Sequence, residues 1–147
     1  YRRGPDGQRV PKDTARNLID TGEVVVHVVT EKLAEAMNIT AGEFPFGDSE
    51  LDRAGLGSAP SDLVKPPRIA EAPVAMECSL FKHVDLGEAR IHMLICRIER
   101  VHVSDDLVDE HGRIALSGLR AVGRVGVDGY CRAATDLFSM DRPAVKP

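Results

Sequence analysis

Two long runs with β-type alternation, separated by a short turn, constrain the fold of this chain most. The first is PVAMECSLFKHVDL (73–86) and the second is ARIHMLICRIERVHV (89–103). In the first run apolar positions such as Val74, Met76 and Cys78 alternate with the positions between them. A period of two residues is typical of strands, and the short turn LGEA predicts that they pair as an antiparallel hairpin.

The rest of the sequence predicts a few short helices and more strands. A helix begins at Asp13, a favourable N-cap residue, and Gly22 follows its end. EVVVHVV (23–29) is β-branched on both faces and predicts a buried strand. The remaining expectations are a helix EKLAEAMN (31–38) capped by Thr30, a helix SELDRAG (49–55) inside a long proline-bearing loop (39–73), and a hairpin at His111-Gly112. Many strands with few helices predict a mainly β barrel or sandwich.

Length, charge and cysteine usage narrow the class of protein. The 147 residues indicate one domain, 1–147. Nineteen basic against 23 acidic side chains give a net charge of -4, and there is no Trp, so we expect no nucleic-acid binding. The apolar runs are too short to span a bilayer, so we expect no membrane partner. Three cysteines without a CxxC pair predict reduced thiols and a cytoplasmic protein.

The entrance of the first predicted helix carries an ammonium, a carboxylate and a hydroxyl at Lys12, Asp13 and Thr14. Helix N-termini attract anions through free N–H groups and the helix dipole. Asn17 lies one turn further, and Arg3 can approach from the preceding turn. Two interpretations remain open from these residues alone: an anion site, or a capped helix with solvated cations.

Other chemistry-bearing residues give weaker signals. The five histidines show no metal-ligand spacing, so we expect no metal site, and no nucleophile elbow or Walker loop is present. Cys78 and Cys96 lie in expected strands and are interpreted as packing residues. GRVGVDGYCR (123–132) is either a surface turn or a ligand loop in which Tyr130 stacks on a ring. No catalytic residue can be named.

Four segments in a fixed order resemble the flavin reductase-like family, the FMN-binding split-barrel proteins that include flavoredoxin. They are RRGPDGQRVPKDTARNLIDTGEVVVHVVTEKLAEAMN (2–38), AGL…PS…VKPPRIAEAPVAMEC (54–78), RIERVHV (97–103) and GRVG…Y.R (123–132). Each segment alone is weak, whereas their order and spacing across nearly the whole chain make the resemblance specific.

The resemblance implies a split β-barrel with Greek-key strands, a homodimer, and FMN near the subunit interface. It places the flavin phosphate at Lys12, Asp13 and Thr14, with Asn17 nearby, and so favours the anion site over simple capping. The PPRIAEAP segment (66–73) and Tyr130 would border the flavin or the partner subunit.

The sequence departs from the family pattern in three places. A leading barrel segment with an "N.APFS"-like strand is absent, and the opening YRRGPDG looks like the end of a strand whose body is missing. His27 stands where an Asn is usual, and Val127 stands where a second Gly is usual.

The resemblance implies an FMN-dependent oxidoreductase that takes electrons from NADH or NADPH and passes them to a small-molecule substrate or electron acceptor. The cofactor would carry the chemistry while the protein supplies position and electrostatics. Two alternatives remain: a non-catalytic flavin-binding or electron-carrier protein, and an interaction domain that has lost its flavin site.

Overall fold

A computed structural model describes residues 2–3, 7–45, 47–87, 91–135, 137–140 and 143. Within these residues the structure is mainly β, with a few short helices, as the sequence predicts. The strands are β1 (Arg2–Arg3), β2 (Arg9–Val10), β3 (Glu23–His27), β4 (Ser58–Ala59), β5 (Arg68–Ile69), β6 (Val74–Asp85), β7 (His92–Val103), β8 (Val122–Val125) and β9 (Gly129–Arg132). The helices are α1 (Asp13–Thr21), α2 (Ala34–Thr40), α3 (Glu50–Ala54) and α4 (Leu116–Leu119), with 3-10 turns at Glu31–Leu33 and Asp105–Leu107.

The central element is an antiparallel sheet in the order β3-β6-β7. The long β6–β7 pair confirms the hairpin that the alternating runs predict. The register shifts between Glu77 and Cys78 and again between Leu80 and Lys82, which bends the ribbon. Since β3 pairs only with β6 among the described strands, it lies at an edge of this sheet.

The strand β3 is less buried than its sequence indicates. Its side chains are half-buried apart from Val26, which is 43% exposed. The expectation of a strand buried on both faces is therefore wrong for the described part of the chain. β-branched residues suit any pleated strand, so the run EVVVHVV fixes the strand type but not the layers that cover it.

The helix α1 begins one residue earlier than predicted. Lys12 occupies the N-cap position, and Asp13 is the first helical residue, so the prediction that Asp13 caps the helix is wrong. Asp13 instead forms an ion pair with Arg16, three residues on. At the other end Gly22 is left-handed (φ 76°), and its N–H donates to the carbonyl of Leu18, as expected of a C-terminal glycine.

One face of the sheet is covered by the segment 57–71, which we call the lobe. Its stem is the β4–β5 pair, extended by the N–H of Ala70 donating to the carbonyl of Gly57. The lobe contains Pro60, Pro66 and Pro67. The described core is small; its buried apolar side chains lie on α1, on β6 and in the two 3-10 turns, and they are Leu18, Leu33, Val74, Ala75, Cys78 and Leu107.

The opposite face of the sheet is apolar and partly open. Val26, Ile98 and Val101 are 43%, 54% and 51% exposed. They belong to neighbouring positions, since Val26 pairs with Met76, and Met76 pairs with Val101. The sheet therefore has one covered face and one apolar face that the described residues leave exposed.

The helix predicted over 31–38 is divided into the 3-10 turn Glu31–Leu33 and α2, and Thr30 makes no side-chain cap hydrogen bond, so the prediction that Thr30 caps it is wrong. The other elements agree with the sequence. The helix α3 is capped by Ser49, whose hydroxyl accepts from the N–H of Asp52. A left-handed Gly112 and a bridge between Val108 and Ile114 form the expected hairpin. The cysteines Cys78, Cys96 and Cys131 are free thiols, as expected. The described helices include none long and apolar enough to cross a membrane.

Candidate flavin site

The N-terminus of α1 receives no side-chain cap from its N-cap residue, Lys12. The Lys12 backbone is extended (φ -62°, ψ 150°), and its side chain makes no capping hydrogen bond. The first N–H groups of an α-helix have no acceptor within the helix. Lys12 and Thr14 are exposed. This end of α1 thus presents backbone N–H groups, an ammonium and a hydroxyl to its surroundings.

Two cavities meet at Thr14. One, of about 280 Å³, lies between the start of α1 and the end of α2; it is lined by Lys12, Asp13, Thr14, Thr40, Ala41, Gly42, Glu43, Phe44 and Glu50. The other, of about 350 Å³, lies between α1, β3 and the lobe; it is lined by Thr14, Asn17, Leu18, Thr21, Glu23, Val24, Val25, Pro66 and Pro67. The structure therefore brings four predicted site residues, Lys12, Asp13, Thr14 and Asn17, to one end of α1, and places Pro66 and Pro67 opposite them.

The other two predicted site residues are placed differently. Tyr130 lines a separate cavity of about 240 Å³ with Glu31, Met37 and Arg132. The backbone of Arg3 pairs with Arg9 in the β1–β2 ribbon. The side chain of Arg3 lies outside the described residues, so its role stays a prediction, as does that of Tyr130.

An ion-pair cluster holds the C-terminal hairpin against the start of the first 3-10 turn. Glu31 accepts from Arg120 at 3.2 and 3.0 Å and from Arg132 at 3.1 Å. The hydrogen bond from Arg120, together with that from Arg132, lowers the pKa of Glu31. The pair also raises the pKa of Arg120, which is the described non-glycine residue with a positive φ (47°). These contacts place Tyr130 beside Glu31 rather than beside Thr14.

Glu77 is not among the predicted site residues. Of the carboxylates that the structure describes, it has the most hydrogen-bond partners. Its side chain is fully buried. It accepts from the N–H groups of Asp62 (2.8 Å), Leu63 (2.6 Å) and Val64 (3.2 Å) in the lobe. The Nε2 atom of His102 lies 2.5 Å from Oε1 of Glu77. A polar residue inside an otherwise apolar β-type run was the one sequence signal for this role.

The protonation state of Glu77 follows from these contacts. Burial of the carboxyl raises its pKa, but hydrogen bonds from the N–H groups of Asp62 and Leu63 and from His102 outweigh burial and lower the pKa to about 2. Glu77 is therefore an anion at neutral pH, and its charge is balanced by N–H donors rather than by solvent.

His27 anchors the other end of the lobe. Its Nε2 atom accepts from the N–H of Ile69 at 2.9 Å, which requires that nitrogen to carry no proton. Burial, and then the charge of Arg68, lower the pKa of His27 and favour this neutral form. The departure at His27 from the usual Asn thus supplies a hydrogen-bond acceptor to the lobe.

Asp62, Glu77 and His102 bring ligand-type atoms within 4.8 Å of one another, a spacing that also suits a cation. Each oxygen of Glu77 already accepts two hydrogen bonds. The carboxylate of Asp62 pairs with Arg100 at 2.5 Å. We therefore interpret this cluster as a hydrogen-bond network that holds the lobe.

Comparison with known proteins identifies the class. The flavin reductase like domain matches residues 8–117. The uncharacterized protein BH2278 of Halalkalibacterium halodurans is 39% identical over 97% of this chain and 68% of its own length. Among solved structures, nitrilotriacetate monooxygenase component B from Bacillus cereus is 35% identical with a TM-score of 0.82, over 88% of this chain and 65% of that one. The 2-nitrobenzoate 2-nitroreductase NbaA of Pseudomonas fluorescens is 32% identical with a TM-score of 0.81, over 92% and 66%.

The chain thus has a split-barrel fold, and the predicted fold class is confirmed. It belongs to the flavin reductase-like family, which confirms the resemblance seen in the sequence. The chain spans about two thirds of the length of the relatives named above.

Proposed function

We propose that this protein is an FMN-dependent oxidoreductase that holds the flavin phosphate at the N-terminus of α1. The observation that carries the proposal is the cavity in which Thr14 and Asn17 face Pro66 and Pro67, in a chain of the flavin reductase-like family. A helix end without a side-chain cap suits a terminal phosphate, since an anion satisfies the free N–H groups and the dipole together.

The residues present fit such a cofactor. Lys12 supplies a positive charge at the start of α1, and Thr14 and Asn17 supply hydrogen-bond donors to the adjacent cavity. Val24 and Pro67 give the adjacent cavity apolar walls suited to a ring system. Ligand sites combine apolar walls with a few polar groups in this way, and the cavity of about 350 Å³ falls within their usual size range.

When bound, the flavin supplies the electron-transfer chemistry. The residues of this chain then bind and orient it. Lys12 and Thr14 hold the phosphate, Asn17 donates to the same end of the molecule, and the lobe excludes water from the opposite side. The carboxylate of Asp13 is held by Arg16, which limits its repulsion of a phosphate.

The electron donor in this proposal is NADH or NADPH, and the acceptor is a small molecule. Two similar structures support this class of reaction by their names, one a monooxygenase component and the other a nitroreductase. We further propose that the protein works in the cytoplasm, where its free thiols stay reduced.

A homodimer completes the proposal. The exposed side chains of Val26, Ile98 and Val101 support it, because contiguous apolar surface marks interaction sites. Tyr130, which lies away from the α1 cavities, would then meet the flavin of the partner subunit. Arg3 would approach the phosphate from the β1–β2 ribbon.

The test is a flavin titration of the full-length protein, followed by turnover. The fluorescence of FMN should be quenched when FMN binds. FMN should also bind more tightly than FAD, because one compact anion site suits a terminal phosphate. NADH or NADPH should then be oxidised in a flavin-dependent manner. Equal or tighter FAD binding would count against the phosphate assignment. Flavin binding without nicotinamide oxidation would favour an electron carrier, and no binding at all would favour an interaction domain.

A further inference from the structure

The lobe depends on side chains of the sheet for its backbone hydrogen bonds. The N–H groups of Asp62, Leu63 and Val64 donate to Glu77. The N–H of Lys65 donates to Glu23 at 2.8 Å, and the N–H of Ile69 donates to His27 at 2.9 Å. Buried N–H groups need acceptors, and a segment outside regular secondary structure must find them elsewhere.

Pro66 and Pro67 explain why the sheet must supply those acceptors with side chains. Proline has no N–H group, so this stretch of the lobe cannot pair with β3 through a ladder of backbone hydrogen bonds. The sheet therefore holds the lobe on both sides of the two prolines. Glu77 and Glu23 bind the N–H groups that precede the prolines, and His27 binds the N–H group of Ile69, which follows them.

Glu77 is the strongest of these anchors because it is buried and charged. Hydrogen bonds to an ionised acceptor are about twice as strong as those between neutral groups. Glu77 receives three successive N–H groups from the lobe, and His102 fixes the carboxylate from the β7 side. Glu23 is only half-buried and accepts from one N–H group.

The lobe is also one wall of the cavity proposed for the flavin. Pro66 and Pro67 line it opposite Thr14 and Asn17. The contacts that fix the position of residues 62–64 also restrict the backbone that leads to these prolines. The buried carboxylate on β6 is thus connected to the cavity through a short piece of backbone.

We propose that Glu77 is a positioning residue for flavin binding: it holds the lobe so that Pro66 and Pro67 form the wall of the cavity beside α1. This inference rests on the proposed function. Glu77 does not touch the flavin, and it acts through the backbone of Asp62, Leu63 and Val64.

The experiment compares Glu77→Gln with the matched control Glu99→Gln. Both change a glutamate on the same sheet, but Glu99 hydrogen-bonds to Ser79 and not to the lobe. In Glu77→Gln the amides of residues 62–64 should exchange their hydrogens about tenfold faster or more in flavin-free protein, because an amide nitrogen replaces one acceptor oxygen. Glu99→Gln should leave these rates unchanged.

Flavin binding is measured on the same samples with FMN and with riboflavin, which lacks the phosphate. The Glu77→Gln protein should bind both about tenfold more weakly, since the lost wall faces the ring. Lys12→Ala should weaken the binding of FMN but not that of riboflavin. At saturating FMN, the absorption spectrum of the flavin in Glu77→Gln should move toward that of free flavin, which a change in stability alone would not cause.

A second variant keeps the test decisive if Glu77→Gln does not fold. His102→Ala removes only the imidazole contact and leaves in place the hydrogen bonds that the backbone N–H groups of the lobe donate to Glu77. The amide of Asp62, which shares Oε1 with His102, should exchange about threefold faster, and riboflavin affinity should fall by a similar factor.

Two results overturn the inference, and they separate it from the proposed function. If the wild type binds FMN and Glu77→Gln binds FMN and riboflavin equally well, the flavin assignment stands and Glu77 does not position the wall. If the amide hydrogens of residues 62–64 exchange at the wild-type rate in Glu77→Gln, Glu77 does not hold the lobe. A wild type that binds neither flavin overturns both.

Discussion

Two groups of backbone N–H donors in this protein meet their acceptors in opposite ways. The amides of Asp62, Leu63 and Val64 converge on a carboxylate that the chain supplies, that of Glu77. The amides at the start of α1 have no side-chain cap from Lys12. Both places suit an anion. In one the anion is built in and buried, and in the other the position is open beside a cavity.

The difference separates a structural site from a binding site. A buried carboxylate cannot leave its donors, so the lobe keeps its shape whether or not a ligand is present. A helix end whose N-cap residue makes no side-chain hydrogen bond can accommodate an anion from solution, and its favourable electrostatics then contribute to affinity. Removing the carboxylate of Glu77 should therefore affect mainly the stability of the fold, whereas changing the N-terminus of α1 should affect mainly the binding of the ligand.

The largest effect is expected from Glu77→Leu. The substitution replaces the carboxylate with an apolar side chain of similar size and leaves three N–H groups of the lobe without an acceptor, which should lower the free energy of unfolding by about 3 kcal/mol or more. Urea unfolding measures it. Glu99→Leu on the same sheet should change stability by under about 0.5 kcal/mol. Equal losses in the two variants would show that the acceptor role of Glu77 is unimportant.

The next effect concerns the open helix end. Lys12→Ala and Thr14→Ala should each weaken FMN binding by about tenfold or more, since a hydrogen bond to a charged group contributes roughly 1.5–3 kcal/mol. Unfolding should be unchanged, because both side chains are exposed. Lys82→Ala, an exposed lysine on β6, is the control. Unchanged FMN affinity in the Lys12 and Thr14 variants would place the phosphate elsewhere.

A smaller effect should appear on acidification, in two windows. The pKa of His27 is lowered from 6.5, so stability is complete above about pH 6.5 and falls below it as the unfolded chain takes up the proton first. The pKa of Glu77 is lowered from 4.5 to about 2, so its contribution is present above pH 4.5 and is lost as pH falls toward 2.

Unfolding measured between pH 7 and pH 3 checks both windows. His27→Gln should remove the upper window, and Glu77→Gln should remove the lower one. A wild-type stability that does not decline between pH 6.5 and pH 5 would contradict the neutral, hydrogen-bonded state of His27.

The smallest effect is expected from Asp13→Ala. Asp13 is the first residue of α1 rather than its cap, and its ion pair with Arg16 is partly exposed. Loss of a favourable charge near the helix N-terminus and of a screened ion pair should cost about 0.5 kcal/mol. Thermal unfolding measures it, with Asp20→Ala near the other end of the helix for comparison. A loss well above about 1 kcal/mol would indicate that Asp13 caps the helix after all.

Local sequence patterns predicted much of the fold. The β6–β7 hairpin follows from alternation over twelve residues in each strand. The end of α1 follows from Gly22, and the start of α3 follows from Ser49. The cap of α1 was misplaced by one residue because Asp13 is the better N-cap residue by type, whereas the cap position is decided by backbone angles that composition does not show.

The candidate site was predicted in part. Lys12, Asp13, Thr14 and Asn17 are close in sequence, and the helix period predicts that they gather at one end of α1. Their assignment to a phosphate came from the order of motifs shared with a family. The position of Tyr130 could not be predicted, because it depends on Glu31 holding Arg120 and Arg132, 89 and 101 residues further along the chain.

The sequence by itself determined the elements with a repeating signal: the antiparallel hairpin, the short helices and the charged entrance of α1. Only the tertiary structure decided what the polar side chains of the sheet do. Glu77 meets amides 13 to 15 residues away and a histidine 25 residues away, and His27 meets an amide 42 residues away. Such hydrogen bonds have no period, and they form because a proline-bearing segment covers the sheet and its N–H groups find their acceptors there.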